Sequence, residues 1–273
     1  MTTTSLLPGL AACVFYLASL ATQMLALHDG AARARWSKLA VLLAPPALLL
    51  HLLSLSSDLF AGGGLDIGLF NAASLFFWAV ATLAFLASLR LPLSNLLLVL
   101  YPLGVVALLS GLFLHSPFAP MHDLGWGIGV HIVLSILAYG IFSIAAVQAA
   151  ALGLLIYRLK HRQLHGLFDL MPPLQTMESL LFRLIWTGDV LLFFAIASGA
   201  VFLENMFAQH LAHKTILSIV AWLVFATLLW GRHRLGWRGI TAIKWTATGF
   251  VLLILAYFGS KFVLELVLHR AAG

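Results

Sequence analysis

The sequence predicts an all-α integral membrane protein with eight transmembrane helices and both termini on the periplasmic, non-cytoplasmic side. Three observations predict it. Of 273 residues, 62% are hydrophobic and 9% are charged, whereas a soluble domain carries about 25% charged residues. The apolar residues fall in long runs separated by charged, Gly and Pro clusters. Those runs, such as "LLFFAIASGAVFL", do not alternate as membrane β-strands do.

A spanning helix needs about 20 mostly apolar residues. Eight runs meet that length, near Leu6–Leu27, Trp36–Leu55, Ile67–Leu89, Leu93–Leu114, Gly125–Tyr157, Leu180–Leu203, Thr215–Trp230 and Ile240–Leu268. They predict a single transmembrane domain over residues 1–273, embedded in the lipid bilayer.

Orientation follows from Lys and Arg in the short loops. Arg33, Arg35 and Lys38 lie between spans one and two, and Arg90 between three and four. Arg158, Lys160 and Arg162 follow span five, and Arg232, Arg234 and Arg238 follow span seven. The intervening loops "SSDLFAGGGLD" and "HSPFAPMHD" carry neither residue. The net charge of +6 is mostly this bias. Runs of two or three basic residues are too thin for a nucleic-acid footprint, so no nucleic-acid partner is expected.

The first span lacks a basic flank before it, since "MTTTSLLPGL" has no Lys or Arg, and it reads as a retained helix rather than a cleaved leader. The single Cys13 lies within it and excludes an intramolecular disulfide. The one long non-spanning segment, 158–179, contains Pro172-Pro173, which interrupts any continuous helix. It reads as a cytoplasmic connector.

The eleven histidines sort by side. His28, His161, His165 and His233 belong to the cytoplasmic edge and receive no role. His115, His122, His131, His210, His213 and His269 lie at or near the outer face, and His51 within span two. A neutral imidazole in a span still needs partners for a donor and an acceptor. His51 is therefore either hydrogen-bonded to a neighbouring helix or part of a site. His131, Ser135 and Tyr139 recur at helical spacing on span five, below Gly125, Gly127 and Gly129. That stripe reads as a hydrogen-bonded helix seam or as the border of a cofactor pocket. His269, ending span eight, acquires meaning beside His131, because two imidazoles from different helices can ligate a haem iron axially.

Asp189 is the one acid well inside a span, and Arg183 lies too far round the helix to pair with it. Trp186, Trp222, Trp230 and Trp237 suit interfacial belts or helix packing. No HExxH, P-loop or dinucleotide fingerprint occurs, and the chain is not expected to be an enzyme.

Three stretches, "PPLQTMESLLFRLIW", "SGAVFLENMFAQHLAHKTILSIVAWLVFATLLWGRHRLGWRG" and "AYFGSKFVLEL", together with "GVHIVLSILAYGIFSIAA", resemble the cytochrome c assembly family of CcsA/CcmC-type membrane proteins. Similarity is closest to its YpjD branch of inner-membrane proteins of Gram-negative bacteria, and is strongest over residues 125–270. The resemblance implies a multi-pass protein of the bacterial inner membrane that binds heme and assists cytochrome complex assembly. Assembly components or an apocytochrome would then be its partners. Carried over residue by residue, the family's two outer-face histidines fall on His131 and, within a residue, on His269. These would be the axial ligands of the haem iron, with His51 as an intramembrane reserve.

One departure bears on mechanism. The family places a tryptophan-rich WGxxWxWD loop between its histidines. Here "MFAQHLAHKT" stands in that place and has no tryptophan. His210 and His213, spaced i, i+3, would share a helical face, yet two ligands do not complete a metal site. They read better as a polar lip. The aromatic platform on which that family lays haem is therefore missing here. Two other readings stay open: a small-solute or ion transporter, suggested by eight spans, Pro45-Pro46 and Asp189, and a scaffold without a ligand.

Overall fold

The computed structural model describes residues 3–28, 31–60, 64–114, 125–161, 171–202, 212–259 and 262. Its helices are α1 (Thr3–His28), α2 (Arg33–Leu59), α3 (Leu69–Ser88), α4 (Leu97–Phe113), α5 (Trp126–Lys160), α6 (Leu174–Phe202), α7 (Ala212–Leu235) and α8 (Ile240–Ile254). A 3-10 turn, Ser94–Leu96, leads into α4, and a π-helical turn, Leu255–Gly259, extends α8. Among the described residues eight helices, α8 taken together with its π-helical turn, are long and apolar enough to cross a membrane, the count the apolar runs predict. In lipid a spanning backbone must satisfy its own polar groups, which helices do.

The helices overrun the apolar cores at several ends. α2 covers Arg33–Leu59 rather than Trp36–Leu55, and α6 begins at Leu174, ahead of Leu180. Hydropathy marks where lipid contact stops, whereas a helix continues while its polar side chains reach water. α5, with 35 residues, is about 52 Å long at 1.5 Å per residue and exceeds the hydrocarbon thickness of about 30 Å. Pro45 and Pro46 lie inside α2 without ending it. By contrast, Pro172-Pro173 does mark a boundary: α6 starts immediately after it, and the Met177 amide donates to the Pro173 carbonyl at 3.1 Å. Residues 162–170 of the 158–179 connector and the last part of the expected eighth span lie outside the described residues, while the ends of that connector belong to α5 and α6.

Packing groups the described helices into two compact units, α1–α4 and α5–α8. In the first, small residues let backbones approach. A side chain at Gly9 would meet Leu112 at 2.7 Å and Ser54 at 2.8 Å. Polar side chains then pin helix to helix. Ser54 Oγ donates to the Ser5 carbonyl at 2.8 Å, Ser19 Oγ to that of Ala40 at 3.0 Å, and Trp78 Nε1 to that of Leu48 at 2.9 Å. Cys13 is a buried free thiol among these apolar contacts.

The second unit is centred on aromatic stacking. Phe142 of α5 and Phe225 of α7 stack with centroids 3.9 Å apart and planes 15° from parallel. Two glycines make room for the pair. A Cβ at Gly188 of α6 would lie 3.0 Å from Phe142, and one at Gly249 of α8 would lie 2.6 Å from Phe225. All four helices therefore converge at this level. Toward the C-terminal end of α5, Gln148 Nε2 donates to the Met177 carbonyl at 3.0 Å.

Candidate functional site

The α5–α8 unit is not packed evenly along its length. From Ala138 onward α5 buries a regular stripe that includes Phe142, Ala145, Gln148, Ala149 and Leu152. Between 128 and 137 it buries nothing, although the sequence there is equally apolar. α7 repeats the pattern: residues 213–220 contain no buried side chain, whereas Ala221, Phe225 and Leu228 are buried. The N-terminal parts of α5 and α7 thus leave their inward faces only half covered.

His131 stands in this stretch, half-buried. Its Nδ1 lies 2.9 Å from the Ala195 carbonyl and 3.3 Å from Ser198 Oγ, both on α6. A carbonyl only accepts, so Nδ1 carries the proton and donates it. Ser198 Oγ donates to the same carbonyl at 2.9 Å. The pair fixes the tautomer and leaves Nε2 as the unprotonated nitrogen with no hydrogen-bond partner among the described residues. Immobilisation of one ring nitrogen by a backbone carbonyl is how a metal-binding imidazole is oriented. One turn earlier, Gly127 lacks the Cβ that would collide with the Phe202 ring, and Phe202 in turn meets the edge of exposed Trp126 at 4.8 Å. A Cβ on Gly129 would meet open space.

The stripe His131, Ser135, Tyr139 does not face a single neighbour. His131 turns to α6, while Tyr139 OH lies 3.4 Å from Ser218 Oγ on α7 and packs edge-on against Tyr257 of the π-helical turn. The contacts of His131 and Tyr139 match the hydrogen-bonded seam reading. Nδ1 of His131 belongs to a seam, and Nε2 does not.

His51 belongs to the other unit and is fully buried. Nδ1 lies 3.2 Å from Tyr16 OH on α1, and Nε2 lies 3.0 Å from Ser74 Oγ on α3. Either tautomer satisfies both contacts, since each hydroxyl can donate or accept. This is the geometry of a satisfied interhelical histidine, and His51 offers no free nitrogen unless Tyr16 or Ser74 lets go.

His269, His210, His115 and His122 lie outside the described residues, as do Glu204 and Glu265. His213 is exposed at the start of α7. Among the described residues no group of three or more His, Cys, Asp or Glu side chains could hold a metal ion. For a haem iron, the donor chemistry fits at His131, whose lone pair is free and whose ring is fixed.

The acid singled out in span six, Asp189, is buried, and its Oδ1 has no hydrogen-bond partner among the described residues. No ion pair with Arg183 or any other described cation forms there. The residues that spacing did not reveal are Ala195, Ser198 and Phe202. The signal for them is the small-residue run "AIASGA", which lets α6 approach α5 closely enough for its backbone to be reached.

Residues 36–268 match the family model described as Cytochrome C assembly protein. The chain is 32% identical over 234 residues to "Inner membrane protein YpjD" of Escherichia coli (strain K12), covering 85% of this chain and 89% of that protein. It is 25% identical over 136 residues to "Protein HemX" of Brevibacillus brevis, covering 47% of this chain and 48% of that one. With "Cytochrome c biogenesis protein CcsA" of Gloeobacter violaceus it shares 30% identity over 93 residues, or 33% of this chain and 28% of the relative. No solved structure matches. With a family model spanning most of its length and eight apolar helices long enough to cross a bilayer, the chain belongs to the cytochrome c assembly protein family and is a multi-pass membrane protein.

Proposed function

We propose that the protein is a haem-binding assembly factor of the bacterial inner membrane, with both termini on the periplasmic side. It would assist biogenesis of cytochrome c or a related membrane complex without catalysing bond formation itself. The observation that carries this reading is the state of His131. Its Nδ1–H is committed to the Ala195 carbonyl, and Nε2 is left free beside half-covered helix faces. Family membership and the names of the relatives, inner membrane protein and cytochrome c biogenesis protein, point the same way.

In this proposal residues 1–273 act as one transmembrane domain. His131, through Nε2, and His269 would hold the haem iron. Bound haem would supply an iron centre for relay to an apocytochrome or assembly component. The chain's own contribution is to hold the His131 ring in one tautomer, through Ala195 and Ser198. His51 remains a reserve that would have to give up Tyr16 or Ser74 to ligate.

The test is the visible absorption spectrum of detergent-purified protein made with ample haem supply. A Soret band that is lost in His131→Ala and in His269→Ala supports the proposal; a colourless wild type that is folded overturns it. One observation favours the transporter reading, namely buried Asp189 with an unpartnered oxygen in a span. A colourless protein whose proteoliposomes accumulate a solute, with loss in Asp189→Asn, would establish that reading instead.

A further inference from the structure

At the other end of the α5–α8 unit the turn between α7 and α8 is unusually well fixed. Gly236 and Gly239 adopt φ of +67° and +52°, values that L side chains rarely take. Trp237 packs where Gly231 lacks a side chain and stacks on Trp245 with centroids 5.1 Å apart. Glu178 of α6, buried, closes the arrangement. One of its oxygens accepts from the Gly239 amide at 2.7 Å; the other accepts from Arg238 Nε at 3.0 Å and lies 4.0 Å from Arg232. Arg232 also lies 4.6 Å from the centroid of the Phe182 ring.

The consequence is a preformed basic surface rather than a neutralised one. A single carboxylate faces Arg232 and Arg238, while Arg234 and Lys244 are exposed and make no hydrogen bond or ion pair to the described protein. The Arg238 side chain, held only through Nε, is still 56% exposed. Guanidinium groups match phosphate oxygens in shape and charge. Both flanking helices are long and apolar enough to cross a membrane, so the turn joins the ends of two spans, and exposed Trp230 lies one helical turn before Arg234. Indole rings favour the membrane–water interface.

We propose that the α7–α8 turn is a docking site for an anionic phospholipid, with Arg234, Arg238 and Lys244 receiving the headgroup phosphate. Charge complementarity identifies the occupant: Arg232, Arg234, Arg238 and Lys244 outnumber the single Glu178 carboxylate at a turn that joins two spans, and Glu178 holds the turn ready rather than competing for it. This site is independent of the haem reading.

The test is native mass spectrometry of the full chain in detergent micelles doped with phosphatidylglycerol or with phosphatidylcholine. A basic residue near an anionic lipid surface contributes about fivefold in affinity. Arg234→Gln/Lys244→Gln should therefore lose phosphatidylglycerol adducts by roughly 25-fold, while Arg33→Gln/Arg35→Gln in the other unit retains them. Neither substituted side chain in the first variant holds the fold, so its elution profile and circular dichroism should match wild type. Equal adducts with phosphatidylcholine, or unchanged phosphatidylglycerol adducts in Arg234→Gln/Lys244→Gln, overturn the proposal. Displacement of the lipid by millimolar inorganic phosphate also overturns it, by making the site one for free anions.

Discussion

Replacing His51 by leucine tests whether a buried polar network holds the α1–α4 unit together. The imidazole bridges three helices through Tyr16 and Ser74, in a core where His51 has no exposed surface. Leucine fills much of the volume but leaves both hydroxyls without their partner. Interhelical hydrogen bonds in membranes average ~0.6 kcal/mol and reach ~1.7, so two give ~1.2 to ~3.4 kcal/mol. The edge-on contact between the Tyr16 and His51 rings, with centroids 5.9 Å apart, adds about 0.5 kcal/mol. The total expected loss is ~2 to ~4 kcal/mol. Equilibrium unfolding in mixed dodecyl-maltoside and dodecyl-sulfate micelles, followed by circular dichroism, measures it. Tyr16→Phe keeps the ring and removes one bond, so it should cost ~0.6 to ~1.7 kcal/mol. The double variant should reveal a coupling of at least ~0.5 kcal/mol. Strict additivity, or a His51→Leu protein as resistant as wild type, would refute the reasoning. A folded His51→Leu protein that has lost haem selectively would move His51 into the ligand set.

Other outcomes can be read with the same unfolding assay. Glu178→Ala strands the Gly239 amide, at a cost of about 1–3 kcal/mol, and adds little from the half-exposed Arg238 pair; limited proteolysis should then cut the α7–α8 turn. Gly188→Ala places a methyl group 3.0 Å from Phe142 and should destabilise by about 1–3 kcal/mol, with part of the loss recovered in Gly188→Ala/Phe142→Leu. Ser198→Ala removes one of two contacts to His131 Nδ1 while leaving the Ala195 carbonyl. Haem affinity should fall by less than about tenfold, a loss under 1.4 kcal/mol, whereas Ser198→Leu should displace the ring and abolish binding.

The spanning helices were legible because lipid imposes one rule on every residue of a span, and apolar runs broken by basic loops reveal it without knowledge of packing. Helix ends were less legible. α6 starts within "LQTMES", where Glu178 looks like a polar edge until Arg238, 60 residues later, accounts for its burial. His51 could be marked as costly from its position alone, but its partners Tyr16 and Ser74 come from two other helices, and no spacing along the chain announces them. His131 was legible as a candidate by spacing and by family pattern. What makes it chemically useful, a backbone carbonyl 64 residues away, depends on how closely α6 approaches α5. Division into two compact units was equally hidden, since "HSPFAPMHD" between α4 and α5 breaks the chain no more strongly than "SSDLFAGGGLD" does within the first unit.

The most direct test of the haem site is low-temperature electron paramagnetic resonance of the ferric, detergent-purified protein. Two imidazole ligands predict a low-spin signal in the wild type, converted to high spin in both His131→Ala and His269→Ala. A high-spin wild type, or a low-spin signal that survives loss of His131, would contradict the account.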